Sequence, residues 1–256
     1  MSHLNEYLSG SYSVYLYLPF SRAAKIFRDF SRKIRGKSQK HTQQTSLPQA
    51  SWNRLINSTR FRLVEMKKNN GNVRVSELGI LSLLAKQCAE NSTIFEIGTF
   101  DGRTTLNLAI NSPDSCDVIT LDLPRETETR FDVDSGEKHF INKPESGARY
   151  KNTLTYTDTN KKIQQKYGDS AAFDFSPYDD KCSLIFVDGS HAYDYAMSDT
   201  KNAMKMVGAG GIIMWHDYGV WEGVTKALEE IEKNESLGLR HIAGTSLAYW
   251  KAPVEN

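Results

Sequence analysis

The stretch 93–106, Thr-Ile-Phe-Glu-Ile-Gly-Thr-Phe-Asp-Gly-Arg-Thr-Thr-Leu, constrains the fold of this chain more than any other. Ile94, Phe95 and Ile97 form a short apolar run of the kind that makes a buried parallel strand, with Glu96 inside it. Gly98 follows at the strand end, Gly102 comes four residues later, and a helix is predicted over residues 104–110. A strand, a glycine turn and a helix place a ligand at the carboxyl end of the first strand of an open α/β sheet.

The glycine spacing narrows the ligand. A pyrophosphate needs bare backbone at G-x-G-x-x-G, because it lies against peptide N–H groups at a helix N-terminus. Phe100 and Arg103 stand where the second and third glycines would be, so that cradle is missing. Glu96-x-Gly98-x-x-x-Gly102 remains, a turn suited to a nucleoside without a phosphate chain; glycines that merely turn the chain are the plainer alternative. The pattern resembles motif I of the class I S-adenosylmethionine-dependent methyltransferases. The resemblance implies S-adenosylmethionine as cofactor, with Glu96, Gly98, Thr99, Gly102 and Thr104 around it.

The rest of the chain alternates strands and helices. A second strand over 118–121 ends at Asp122, placed 20 residues after Gly102, where an acid can accept hydrogen bonds from both ribose hydroxyls. A third strand, 163–167, leads into Gly168-Asp169-Ser170. In the family such a triplet lies beside the adenine amino group, which implies Asp169 and Ser170; a helix N-cap is the alternative. A strand over 183–187 ends at Asp188, a helix spans 193–207, and a strand over 212–215 runs into His216-Asp217-Tyr218. A helix over 220–233 and a hairpin pairing 240–243 with 247–250 close the order. Two helices, 52–69 and 80–90, are expected before the first strand. The predicted fold is α/β, a doubly wound Rossmann-like seven-stranded sheet, mostly parallel with a C-terminal antiparallel β-hairpin.

Val-Asp-Gly-Ser-His-Ala-Tyr at 187–193 and Gly-Gly-Ile-Ile-Met-Trp-His-Asp-Tyr at 210–218 together resemble bacterial O-methyltransferases of small molecules and sugars, some of them metal-dependent. The likeness covers roughly residues 75–251. Asp188 and Asp217 end neighbouring strands, so their carboxylates should converge; two hard oxygens suit Mg²⁺ or a related divalent cation. Asp188 is also expected beside the cofactor. His191 ionises near neutral pH and is the candidate base for an acceptor hydroxyl; a helix-capping histidine is the alternative. Tyr218 replaces the asparagine that follows the second metal acid in catechol-type relatives, and His191 stands where those enzymes carry a lysine. The third metal ligand is therefore open, with His216 a candidate. No Asn/Asp-Pro-Pro-aromatic block follows the fourth strand, which argues against methylation of nucleic-acid bases. A scaffold that binds the cofactor without transferring a methyl group is the alternative of another class.

At 256 residues, the chain can bury a sizeable core, and no apolar run approaches a membrane span. Cys88, Cys116 and Cys182 have no metal or redox spacing and point to a reducing cytoplasm. Residues 1–50 read as a separate extension and linker ahead of a methyltransferase domain at 51–256. Residues 22–40 carry eight Lys/Arg and one acid, so the remainder is net acidic and is no nucleic-acid binder by charge. That basic, aromatic arm suits an anionic membrane surface at the periphery, or a partner subunit in a homodimer. The polar stretch 123–150 is expected over the carboxyl edge of the sheet. Its cations Arg125, Arg130, Lys138, Lys143 and Arg149 suit a polar or anionic acceptor, with a sugar or glycan hydroxyl preferred.

Overall fold

The computed structural model describes residue 27 and residues 45–58, 60–133, 136–137, 145–152 and 155–254. The basic arm and its proposed membrane or dimer contacts therefore lie outside the described residues, Phe27 apart. Among the described residues no helix is long and apolar enough to cross a membrane.

Eight strands form one sheet: β1 (Gln49–Ala50), β2 (Thr93–Ile97), β3 (Asp117–Asp122), β4 (Ile163–Tyr167), β5 (Cys182–Val187), β6 (Val207–Trp215), β7 (Arg240–Ile242) and β8 (Ala248–Lys251). Their order is β1-β7-β8-β6-β5-β2-β3-β4. The pairs from β6 to β4 are parallel, whereas β8 runs antiparallel to both β6 and β7. The helices are α1 (Val75–Lys86), α2 (Arg103–Asn111), α3 (Ala148–Lys151), α4 (Thr157–Asn160), α5 (Tyr193–Met206) and α6 (Glu222–Glu235). The doubly wound α/β sheet with its terminal hairpin is as the sequence indicates, with one strand more than the seven expected. That strand, β1, comes from the stretch read as linker. Ala50 is buried, and Leu47 joins the core while its amide donates to the Tyr218 hydroxyl at 3.0 Å.

Strand alternation divides the core into two layers. Phe95, Ile97, Ile185, Val187, Ile213 and Trp215 face α5 and α6. Ile94, Val118, Leu184, Phe186 and Met214 face the other way, toward α1 and α2. Helix α1 is apolar on nearly every side, and Leu78 through Ala85 are all buried, as a helix between two packed surfaces must be.

The helix expected over 52–69 does not form. Only Trp52–Arg54 makes a 3-10 turn, and residues 60–69 have neither helix nor strand. The reason lies on α2. Asn107 and Asn111, one helical turn apart, present their side-chain amides as a neighbouring strand would. The Arg62 amide donates to Asn111 Oδ1 at 2.8 Å, and Asn111 Nδ2 returns a bond to the Arg62 carbonyl at 2.8 Å. The Val64 amide donates to Asn107 Oδ1 at 3.0 Å, and Asn107 Nδ2 donates to the Val64 carbonyl at 3.1 Å. Phe61 and Leu63 then bury on one side and Val64 on the other. The tertiary partners outweigh local helix propensity here.

Asn107 is fully buried and also donates to the Arg103 carbonyl at 2.8 Å. Asn107→Ala leaves both backbone groups of Val64 unpaired, so urea titration should show a loss of about 2–3 kcal/mol. A loss below about 0.5 kcal/mol, within the range of ordinary surface substitutions, would mean that the asparagine pairs do not hold this segment.

Candidate active site

The parallel register lines up the strand ends. Ile97 pairs with Leu121 on one side and Val187 on the other, and Val187 pairs with Trp215. The next residue of each strand, Gly98, Asp122, Asp188 and His216, therefore emerges at one edge. The backbone ladder continues there: Gly98 N donates to the Leu121 carbonyl at 2.8 Å, Asp188 N to Ile97 at 2.8 Å, and His216 N to Val187 at 3.0 Å. Gly98 has φ +102°, and a Cβ on it would lie 2.1 Å from the Asp188 carbonyl oxygen. Only glycine allows β2 and β5 to end this close together.

A cavity of about 350 Å³ opens over this edge. Gly98, Asp122, Asp169, Ser170 and Asp188 line it, and so do His191 and Asp217. Glu96, Thr99, Gly102 and Thr104 do not. Glu96 is buried below the floor, where its Oε2 accepts from Thr120 Oγ1 at 2.6 Å and from Thr105 Oγ1. Thr99 turns to Thr120 and Gln165. Gly102, at φ +83°, makes room for the Tyr150 ring. These four residues shape the turn from behind.

At the β3–β4 end, Asp122 accepts a hydrogen bond from Ser146 Oγ. Asp169 is held by three protein donors: the Tyr195 hydroxyl at 2.8 Å, the Ala171 amide at 3.0 Å and the Arg130 amide at 2.7 Å. The cations of the 123–150 stretch are not all turned to a ligand. Arg149 pairs with Asp101 at 2.8 Å and with Glu65 at 3.2 Å, and Arg130 Nη1 donates to the Ala171 carbonyl. Lys138 and Lys143 lie outside the described residues.

At the β5–β6 end, carboxylates and imidazoles alternate. His191 Nε2 lies 2.7 Å from Asp217 Oδ2, and His191 Nδ1 contacts Glu137 Oε1. His216 Nδ1 lies 2.9 Å from Asp188 and 3.2 Å from Asp217, while its Nε2 is 3.5 Å from Glu77. Asp217 adopts a left-handed φ of +63°, a conformation costing about 1 kcal/mol outside glycine. The Trp221 and Val220 amides brace that turn by donating to its carbonyl at 3.1 and 3.0 Å. Trp221 stacks on the His191 ring with centroids 4.4 Å apart and planes 5° from parallel. Tyr218, the departure from the catechol-type pattern, points into the body and donates to Glu229 at 2.9 Å.

Three members of this cluster were not legible in the sequence. Glu77 sits in an otherwise apolar helix, fully buried, and its Oε1 accepts from the Ser246 amide at 2.8 Å and hydroxyl at 3.0 Å. A lone acid in such a run was the available signal, but an acid at the third helical position also reads as a cap, and the Arg74 amide does donate to it at 2.9 Å. Glu137 comes from a stretch without periodicity; it also accepts from Ser190 Oγ at 2.9 Å. Nothing local marks Trp221.

Burial raises the Asp188 carboxyl, helped by Asp217 and opposed by His216. Burial would do the same to Asp217, but the two histidines overturn it and hold Asp217 well below the usual carboxylate range. For Glu77, burial is likewise outweighed, here by His216, Arg74 and the Ser246 amide, and the carboxyl falls to about 2. Burial disfavours the His191 imidazolium, yet Asp217 and Glu137 push it up to about 9; Asp188 and Asp217 raise His216 in the same way. Without a cation, both rings are thus imidazolium at neutral pH. Asp188, His191 and Asp217 can each direct one ligand atom into a space where all three lie within 4.8 Å of one another. Two carboxylates and an imidazole fit a divalent metal.

Residues 95–218 match the family model described as a methyltransferase domain. No curated protein matches the chain in sequence. Among solved structures, a Corynebacterium glutamicum protein superposes with TM-score 0.52 at 13% identity, covering 72% of this chain and 84% of that one. The calicheamicin methyltransferase CalS11 gives 0.53 at 12%, over 68% and 77%. The O-methyltransferase TomG of Streptomyces achromogenes gives 0.50 at 15%, over 75% and 93%. At these identities the superpositions speak for the fold. The family match gives this chain a methyltransferase domain over residues 95–218, and the fold and glycine turn are those of the class I, S-adenosylmethionine-dependent kind.

Burial pushes Glu96 up to about 8, with Thr105 and Thr120 opposing and Asp188 and Asp122 adding to the rise. The folded state therefore favours the protonated acid. That stabilisation is complete below pH 4.5 and is lost as pH climbs through about 8. Glu96→Gln should gain about 5 kcal/mol relative to the parent across that window, measured by denaturant titration at each pH. Parallel pH profiles for the two proteins would mean that Glu96 is ionised throughout.

Proposed function

We propose that this methyltransferase transfers the methyl group of S-adenosylmethionine to a hydroxyl of a small molecule or a sugar or glycan acceptor. The observation that carries the reading is the Asp188–His191–Asp217 cluster, which shares a cavity with Gly98, Asp122 and Asp169. O-methyl transfer is the activity named for TomG, and CalS11 is named for calicheamicin. The catalytic unit on this reading is residues 51–256, with residues 1–50 as an extension, in a reducing cytoplasm where Cys88, Cys116 and Cys182 stay as free thiols.

In the proposed reaction Asp122 holds the ribose hydroxyls, while Gly98 lets β2 and β5 end side by side beneath the cofactor. Asp169 and Ser170 frame the adenine. The acceptor oxygen attacks the sulfonium methyl in line, the carbon–sulfur bond breaks, and its electron pair stays on sulfur as S-adenosylhomocysteine forms. His191, in its neutral form and left out of the cation's ligand set, takes the hydroxyl proton at Nε2, with the ring held in place by Glu137 and Trp221. A divalent cation held by Asp188 and Asp217 would supply positive charge that acidifies the acceptor hydroxyl and favours neutral His191.

Calorimetric titration with S-adenosylmethionine tests the cofactor site. Asp122→Ala should weaken binding by about tenfold or more, whereas His191→Ala should leave it within about threefold. Mg²⁺ titrated into the same protein should bind, and Asp217→Ala should abolish that heat. Equal cofactor affinity in the parent and the Asp122 variant would remove the ribose role.

A further inference from the structure

Behind the cavity wall lies an acid that the proposed reaction does not use. Asp199 sits on α5, one helical turn after Tyr195, and it is fully buried. Neither of its oxygens closes a hydrogen bond among the described residues. A carboxyl group buried without a partner is costly, so its position calls for an explanation.

Two residues of the cavity lining, Gly189 and Ser170, stand next to it. A Cβ on Gly189 would lie 3.2 Å from Asp199 Oδ2, so only the missing side chain separates that oxygen from the wall. Burial pushes the Asp199 carboxyl up to about 7, with Asp169 adding to the rise and the Ser170 hydroxyl opposing it as a donor to the carboxylate. Helix α5 thus meets the 168–170 turn twice. The Tyr195 hydroxyl donates to Asp169 Oδ1 at 2.8 Å, and Asp199, four residues on, faces Ser170.

The two polar residues of the turn differ in what they offer a ligand. An ionised Asp169 only accepts. A serine hydroxyl both donates and accepts, so Ser170 alone would serve an amino group or a carbonyl oxygen equally well. A carboxylate behind it removes that ambivalence. The hydroxyl proton is drawn to Asp199, and the lone pairs of Oγ are left for the cavity.

We propose that Asp199 is a positioning residue that sets cofactor specificity: it holds the proton of Ser170, so that the turn accepts the 6-amino group of adenine and rejects a 6-oxo purine. The proposal rests on the reading of Asp169 and Ser170 as the residues that frame the adenine. A 6-oxo group would bring oxygen against oxygen. Turning the Ser170 hydroxyl to meet it would leave Asp199 without its donor.

The test compares S-adenosylhomocysteine with S-inosylhomocysteine, which carries a 6-oxo group in place of the 6-amino group. Both are titrated calorimetrically at about pH 8.5, where Asp199 is ionised, with circular dichroism confirming the fold. The proteins are the parent, Asp199→Ala, Asp199→Leu, Ser170→Ala and the double variant of Ser170→Ala with Asp199→Ala. Asp199→Leu removes the acceptor without opening a cavity, and so guards against a loss of fold in Asp199→Ala. The parent should prefer S-adenosylhomocysteine by about a hundredfold. Both Asp199 variants should cut that preference by about tenfold. In the Ser170→Ala background the Asp199 substitution should leave it within about twofold. A preference unchanged in the Asp199 variants would overturn the proposal, and so would a parent that binds both ligands equally. A loss that persists in the Ser170→Ala background would overturn it by showing that Asp199 does not act through the serine. Equal weakening of both ligands would overturn it by showing an effect on the whole pocket. If the parent binds neither ligand, the proposal falls together with the cofactor reading, an outcome distinct from the others.

Discussion

The site depends first on the parallel register of β2, β3, β5 and β6. Because Ile97 is level with Leu121 and Val187, and Val187 with Trp215, four strands release their next residue along one line. A slip of one residue would send every side chain to the opposite face. Phe95 and Ile97 would then leave the layer beneath α5 and α6, and Asp188 would no longer stand beside His216. The hydrophobic core thus fixes the chemistry by fixing the register. Gly98 is where the two demands meet, since a side chain there would collide with the backbone that positions Asp188.

Electrostatics at the edge follow from this convergence. Four acids and two imidazoles, drawn from α1, the 136–137 segment and the ends of β5 and β6, share a small buried volume. Each carboxylate alone would be costly to bury, and each histidine alone would lose its proton. The two histidines hold Asp217 and Glu77 charged and are held charged in turn, with Asp217 as the common partner of both rings. Trp221 adds a steric limit, because a ring stacked within 4.4 Å keeps His191 in one plane.

The segment 60–73 serves the site indirectly. It is extended because Asn107 and Asn111 offer it a substitute strand, and its far end is clamped by Asp101, Arg103 and Arg149. Residues expected to bind ligand, Arg149 among them, instead hold this frame. The same clamps carry Lys68 and Arg74 to the cavity wall.

The sequence by itself determined the strand–glycine–helix unit, the α/β order, the acids at the strand ends and the class of cofactor. These are local signals: apolar runs, glycines where φ must be positive, and an acid one residue past a strand. Asp122, Asp188 and Asp217 were legible on that basis as positions at the strand ends, whereas His191 came from the resemblance of the 187–193 block. Tertiary structure alone decided the rest. The helix expected over 52–69 gave way to side-chain amides more than forty positions away, and β1 formed from apparent linker because β7 offered it an edge. Glu77 became a partner of His216 only because α1 crosses the end of β6, and Glu96 was withdrawn beneath the floor by Thr105 and Thr120. In each case the deciding partner is distant in sequence, and no local pattern encodes which face of the sheet it will reach.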